Sequence, residues 1–407
     1  MTLESGTADT ARALPPLGSL QAALRRTTET LAHELGRPGQ QAPDWSEAEW
    51  RIARAVAALH GVSAVLDARL RWNGPSGWSA FLAEQRAEVR ARALRVEVLL
   101  SLLDTTAREY GCAFVALKGV ALHTLGLYQP GERPMADVDL LVREADAEPI
   151  LQVLARLGYR QTDASWKERV FELEGAPPSG AFGERALNAI KIDVHARISE
   201  RLPQRDVDIS DLIQPLQPRP GGNPYPSRAA LMSHLLLHAA GEMVFRTLRL
   251  IQLHDIALLC ERLSSADWQE VLHGHEAPAA LWWALPPLML VERYYGAVPP
   301  SVLATLREAC AEPLRRKSQL QVLSDLSYSD LRRSAFPGID WASTLPERLT
   351  YVAARTWLSA RTLLRPARAA ETGAAHGAAP PPVGWHALRP ARPATLNAVR
   401  AALAQPR

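Results

Sequence analysis

Asp137-Val138-Asp139-Leu140-Leu141-Val142 sets two carboxylates at alternate positions of an otherwise apolar run. Val138, Leu140 and Val142 repeat with a period of two, and residues i and i+2 of a strand share a face. The pattern predicts a strand over 137–143 with its apolar side toward a core. Asp137 and Asp139 then stand side by side on the opposite face. Asp is depleted in strands. Like charges that close raise each other's pKa or call for a cation. A hard divalent ion with oxygen ligands, Mg2+ above all, is the natural partner. The plainer alternative is an exposed edge strand with two solvated aspartates.

The residues upstream add a second chemical feature. Phe114 to Leu117 is a short apolar run that reads as a strand, and Lys118-Gly119 ends it. Val120 to Leu127 then reads as the start of a helix. A strand, a glycine turn and a helix N-terminus together suit an anion, and Lys118 contributes a point charge. Only four of the 46 basic residues are lysine, so a lysine here suggests a need that arginine does not meet. The alternative for Lys118 is a solvated strand end.

These residues need elements to hold them. The pattern predicts a strand over 113–117, a helix over 119–127, the acid strand over 137–143, a helix over 145–157 and a strand from Trp166 to Leu173. A Gly/Pro-rich loop spans 174–186. Ile190-Lys191-Ile192-Asp193-Val194-His195 alternates again, with Lys191, Asp193 and His195 on one face. The result is a small mixed sheet carrying acids. Before it, residues 16–111 read as a helical segment. Asp44-Trp-Ser46-Glu-Ala-Glu49 offers a capping box, and a long helix covers about Ser79 to Tyr110. After the core, 112–202, comes a Pro-rich connection over 203–227 and an all-helical domain over 228–364. Residues 1–15 and the Ala/Pro/Arg-rich stretch 365–407 read as disordered. The fold class is α+β: a small mixed β-sheet core flanked by an N-terminal helical segment and a C-terminal all-helical domain.

Leu117-Lys118-Gly119, Tyr128, Arg133, Asp137-Val-Asp139-Leu-Leu-Val142 and Leu157-Gly158-Tyr159, in this order and spacing, resemble the bacterial family described as uncharacterised nucleotidyltransferases. That family lies within the DNA polymerase β-like superfamily. The resemblance covers about Ala113 to Arg197, and more loosely a helical region to about residue 300. It implies transfer of a nucleoside monophosphate from a nucleoside triphosphate, with two Mg2+ ions. Asp137, Asp139 and Asp193 are then the catalytic metal ligands, with Asp193 serving the acceptor side. Lys118, Gly119 and Arg133 are candidates for nucleotide binding. His195, His238 and Asp255 are candidate residues of the substrate cleft. His195 and Asp255 each have a plainer reading as hydrogen-bonded core residues. Two features depart from the wider superfamily. Its turn is usually Gly-Ser or Gly-Gly, and its spacer to the first aspartate is shorter.

Other chemistries find less support. His234-Leu-Leu-Leu-His238 has the i, i+4 spacing of a zinc site, but Leu235 stands where a zinc protease would carry Glu. There is no GxxxxGK[ST] loop, no GxGxxG after a strand and no GxSxG elbow. Across 407 residues the net charge is only +3, which gives no reason to expect nucleic acid as an obligatory partner. Cys112, Cys260 and Cys310 lack metal-type spacing and read as buried small hydrophobes, consistent with a reducing cytoplasm. Met1 to Arg12 has no apolar core for a signal peptide. Ala279 to Val291 contains Pro286 and Pro287 and is too short to span a membrane. A soluble cytoplasmic enzyme is expected, with a triphosphate donor and an acceptor left open among small molecules, peptides and proteins. The competing readings are a catalytically silent nucleotide-binding regulator, and a tailoring enzyme of peptide natural products that moves a group other than nucleotide.

Overall fold

The computed structural model describes residues 14–165, 167–175, 182–274, 278–331, 336, 338–363 and 394–404. Its centre is a six-stranded mixed sheet in the order β3-β4-β5-β2-β1-β8. The strands are β1 (Ala113–Ala116), β2 (Asp137–Leu141), β3 (Tyr159–Ala164), β4 (Glu168–Leu173), β5 (Lys191–His195) and β8 (Gly221–Asn223). β6 (Ser199–Arg201) and β7 (Asp206–Asp208) make a separate hairpin. β2 runs parallel to β5 and antiparallel to β1.

The alternation seen in the sequence sorts the two faces of the sheet. Val138, Leu140, Val142, Ile192 and Val194 pack on one side with Val96, Leu99 and Leu103 of helix Ser76–Glu109 and with Ile150, Val153 and Leu154 of helix Ala147–Arg156. The other side carries the aspartates and turns toward the helical part of the chain. There Val115, Leu117 and Leu141 join a second core. That core is built jointly from N-terminal helices, such as Leu17–Gly36 and Glu47–Leu59, and C-terminal ones, such as Arg228–Phe245 and Leu250–Cys260. The two helical parts thus share one apolar interior. Fully burying one of its Leu or Ile side chains contributes roughly 1.5–3 kcal/mol.

Local rules account for several boundaries. The capping box forms at Ser46: its Oγ accepts from Glu49 N, and the Glu49 carboxylate accepts from Ser46 N at 2.9 Å. Gly111 ends helix Ser76–Glu109 with φ +66°, which an L side chain rarely adopts. The helical stretch expected from Arg228 onward breaks at Arg246, at φ +58°.

Two expectations need correcting. The Pro-rich connection over 203–227 contains β7 and β8, and β8 completes the large sheet by pairing in parallel with β1. Gly222 N donates to Asp104 Oδ1 at 2.8 Å, fixing this edge to helix Ser76–Glu109. The disordered reading of 365–407 fails over Ala394–Ala404, which is a helix docked on Glu47–Leu59. It buries Ala398, Val399, Ala402 and Leu403. The Asp330 carboxylate accepts from Thr395 N and Oγ1, and Arg51 Nη1 donates to Leu403 O at 3.0 Å. Residues 1–13, 364–393 and 405–407, also read as disordered for the most part, lie outside the described residues. Among the described residues no helix is long and apolar enough to cross a membrane.

Candidate active site

The parallel pairing of β2 with β5 sets Asp137 opposite Lys191, Asp139 opposite Asp193 and Leu141 opposite His195. Three carboxylates therefore share one face of two adjacent strands. β4 adds Glu168 opposite His195.

The entry to both acid strands is held by Arg92 of helix Ser76–Glu109. Its guanidinium donates to Met135 O at 2.7 Å and Ala136 O at 3.0 Å, just before β2. It also donates to Asn188 O and Ala189 O, both at 2.8 Å, just before β5. Arg92 is 2% exposed, and its nearest carboxylate, Glu184, is 4.0 Å away. Its charge is met mainly by carbonyl dipoles, and the planar fork bridges two chain segments as no lysine could.

Asp139 lies at the centre. Its Oδ1 accepts from Lys118 Nζ at 3.0 Å and lies 2.8 Å from His195 Nε2. An ionised carboxylate only accepts, so Nε2 is the donor. Burial opposes the Asp139 charge, but Lys118 and His195 outweigh it and hold the carboxyl well below its usual range. Burial likewise opposes the Lys118 charge, and Asp139 with Asp137 holds the ammonium above its usual value. Asp193 behaves in the opposite way. Burial, then Asp139, Asp137 and Glu168, push its carboxyl up to about 7. Asp137 is also raised, by burial and then by Asp139. The residue is exposed, although protein atoms surround its carboxyl closely enough for burial to be the first cause of the rise. Two neighbouring acids are thus driven apart, one firmly ionised and one ready to exchange a proton.

Lys118 itself takes φ +44°, a backbone conformation that disfavours a side chain. Its N–H donates to Tyr225 Oη at 3.3 Å, and Tyr225 Oη hydrogen-bonds His234 Nδ1 at 2.7 Å. Helix Arg228–Phe245 thereby supports the strained turn. His238 Nε2 pairs with Gln252 Nε2 at 2.9 Å, so the two histidines of the i, i+4 pair have separate partners.

Arg133, expected at the nucleotide, has a protein partner. Its Nε and Nη2 each donate to the Asp255 carboxylate at 2.8 Å, and Tyr128 Oη donates to the same group at 2.6 Å. Asp255 is 2% exposed, in keeping with the reading of a buried, hydrogen-bonded acid. Gly119 leaves room for this ion pair, because a Cβ there would collide with Arg133 Nη1. His195 is buried beneath Asp139, also as the plainer reading expected, with Nδ1 3.7 Å from Glu168 Oε2.

The donor set suits a hard cation in kind. Asp193 Oδ1 is buried without a hydrogen-bond partner, beside Asp139 and Asp137. Such an acceptor costs free energy until something pairs with it. Among the described residues no three acidic, His or Cys side chains already converge as a metal cage.

Sequence reasoning missed Arg92, Glu168 and Tyr225. Arg92 left one signal: it falls between Val89 and Val96 on the buried stripe of its helix, where a charge needs a reason. Glu168 and Tyr225 left none, since strand register and a long-range hydrogen bond bring them in.

No curated protein and no solved structure matches the chain. Residues 46–296, more than half of the chain and spanning every residue of the site, match the family described as "Uncharacterised nucleotidyltransferase". With its acid-bearing sheet and its Lys118-Gly119 turn, this chain belongs to the uncharacterised nucleotidyltransferase family.

Proposed function

We propose that the chain is an Mg2+-dependent enzyme that moves a nucleoside monophosphate from a nucleoside triphosphate to a hydroxyl or amine of a small molecule, peptide or protein. Membership of the family implies nucleotidyl transfer and a triphosphate substrate. The observation that carries the finer reading is the direct pairing of Asp139 with Asp193, with Asp137 one step along the same face.

Asp137 and Asp139 would hold Mg2+ on the donor side, and Asp193 on the acceptor side. Bound there, Mg2+ offsets phosphate charge and polarises the α-phosphate. Lys118 adds positive charge beside the donor, and Asp139 fixes its position. The Asp193 carboxylate takes the proton of the acceptor, the part a positioned carboxylate can play as a general base. The acceptor lone pair forms the bond to the α-phosphorus, and pyrophosphate leaves with the electrons of the broken P–O bond. Arg133 serves the nucleotide indirectly, by fixing Asp255 and the loop that leads into β2.

A thermal-shift series with the four ribonucleoside triphosphates and Mg2+ tests this. A ligand at a hundred times its Kd raises stability by about 2.7 kcal/mol. At least one triphosphate should raise the melting temperature only when Mg2+ is present. Failure of all four at millimolar concentration would contradict the reading.

A further inference from the structure

A triphosphate needs cationic partners beyond the metal ions, and the cations around the acid face are nearly all committed elsewhere. Lys118 lies on Asp139, Arg133 on Asp255 and Arg92 on backbone carbonyls. Arg249 differs from these three. It is exposed, and among the described residues it forms no ion pair.

Its backbone is firmly held. Arg249 immediately precedes helix Leu250–Cys260, the helix that carries Asp255. Arg249 N donates to Gln252 Oε1 at 2.8 Å. Leu250 N donates to His60 Nδ1 at 2.9 Å, and Ile251 N to His60 O at 3.2 Å. Gly61 sits where a Cβ would touch both Ile251 and Pro134, so this helix start abuts the segment that enters β2. Asp137 lies three residues beyond Pro134. The Arg249 charge acts on Asp137 and Glu184, opposing the rise that burial causes in both carboxyls. A guanidinium on a fixed backbone beside the segment that enters β2, with no carboxylate at ion-pair distance among the described residues, is placed for an anion that arrives with the metal.

We propose that Arg249 binds the β,γ-phosphates of the donor triphosphate, the role for which Arg133 is unavailable. This rests on the nucleotidyltransferase reading and names a further residue of that same site. The guanidinium fork matches phosphate oxygens. The N-terminal helical segment gains a function through His60, whose ring fixes the start of this helix. Burial, then Arg249, pushes His60 down to about 3, so its Nδ1 is an acceptor at neutral pH.

The test uses the full chain and calorimetric titration with Mg2+-tripolyphosphate, a probe independent of the base. Wild type, Arg249→Ala, Arg249→Lys and the distant surface variant Arg262→Ala are compared. Losing one charge-assisted phosphate contact should weaken tripolyphosphate at least about tenfold in Arg249→Ala. Arg249→Lys should recover part of the loss, and Arg262→Ala should match wild type. A nucleoside monophosphate should bind Arg249→Ala within about twofold of wild type, since it lacks the outer phosphates. Equal tripolyphosphate binding by wild type and Arg249→Ala would overturn the assignment while leaving the nucleotidyltransferase reading intact. Absence of any triphosphate binding by wild type would remove both together.

Discussion

Lys118 and Asp139 form an almost buried ion pair across the strand–turn–strand unit, with Nζ 3.0 Å from Oδ1. The pair makes the aspartates of β2 unequal. Asp137 stands at the open end of the strand, and its carboxyl is held above the usual range by burial and by Asp139. Asp139 has two cationic or donating neighbours.

The two aspartates should therefore separate in stability but not in activity. Both Asp137→Ala and Asp139→Ala should abolish transfer. Asp137→Ala removes one of two repelling acids and should leave the metal-free melting temperature equal or higher. Asp139→Ala strands the Lys118 ammonium in a largely buried place, and breaking such a pair costs about 3 kcal/mol. Thermal denaturation in EDTA measures both. Equal melting temperatures for the two variants would show that Lys118 finds another partner.

Asp193 predicts a pH dependence of the metal-free protein. Its carboxyl is near 3.8 when unfolded and about 7 when folded, raised first by burial and then by Asp139. Between these values the folded state keeps a proton that the unfolded state has released. Stability from this group is thus full below about 3.8 and is lost as pH rises toward 7. In EDTA, wild type should lose more stability between pH 5 and pH 8 than Asp193→Asn does. Mg2+ at pH 8 should return part of the difference. Parallel curves for the two proteins would show that Asp193 is not raised.

Arg92→Ala would remove the donor from Met135 O, Ala136 O and Ala189 O and one of two donors from Asn188 O, and would free the starts of β2 and β5 from each other. The expected loss is about 3 kcal/mol in denaturant unfolding. Among molecules that remain folded, turnover should fall more than nucleotide affinity, because Asp193 shifts relative to Asp139. Arg92→Lys should rescue little, since an ammonium cannot span both segments. Full activity in Arg92→Lys would contradict this bridging role.

The docked helix Ala394–Ala404 predicts that the C-terminus matters for stability. Leu403→Ala should cost about 2 kcal/mol or more, the ordinary loss for a buried leucine. Truncation before Ala394 should lower the melting temperature further, because it uncovers the apolar side of helix Glu47–Leu59. A truncated protein that melts like wild type would show that this helix docks without consequence.

Local pattern made much of the site readable. Alternation alone assigns the opposite faces of β2 and β5, and the Ser46 capping box is explicit in the chain. What the sequence concealed depends on distant partners. Arg133 looks like a free cation until Asp255, far along the chain, accepts both arms of its fork. β8 is a glycine-rich tripeptide whose strand character comes from pairing with β1 and from the distant Asp104 carboxylate. Ala394–Ala404 buries a short stripe of Ala398, Val399, Ala402 and Leu403, which hides within a low-complexity composition.

The most direct measurement concerns Asp193→Asn, which keeps shape but removes a charge and the capacity to accept a proton. Donor nucleotide is held chiefly by Arg249, and by Asp137 and Asp139 through Mg2+, in this account, with Lys118 fixed on Asp139 beside them. Mg2+-triphosphate affinity should therefore fall by no more than about tenfold, or ~1.4 kcal/mol. Turnover should fall at least ~10²-fold, the usual contribution of a positioned base. Lys191→Ala, on the same face two residues earlier, should be milder on both. Measured side by side, near-normal turnover in Asp193→Asn would contradict the account and make Asp193 a structural residue of β5.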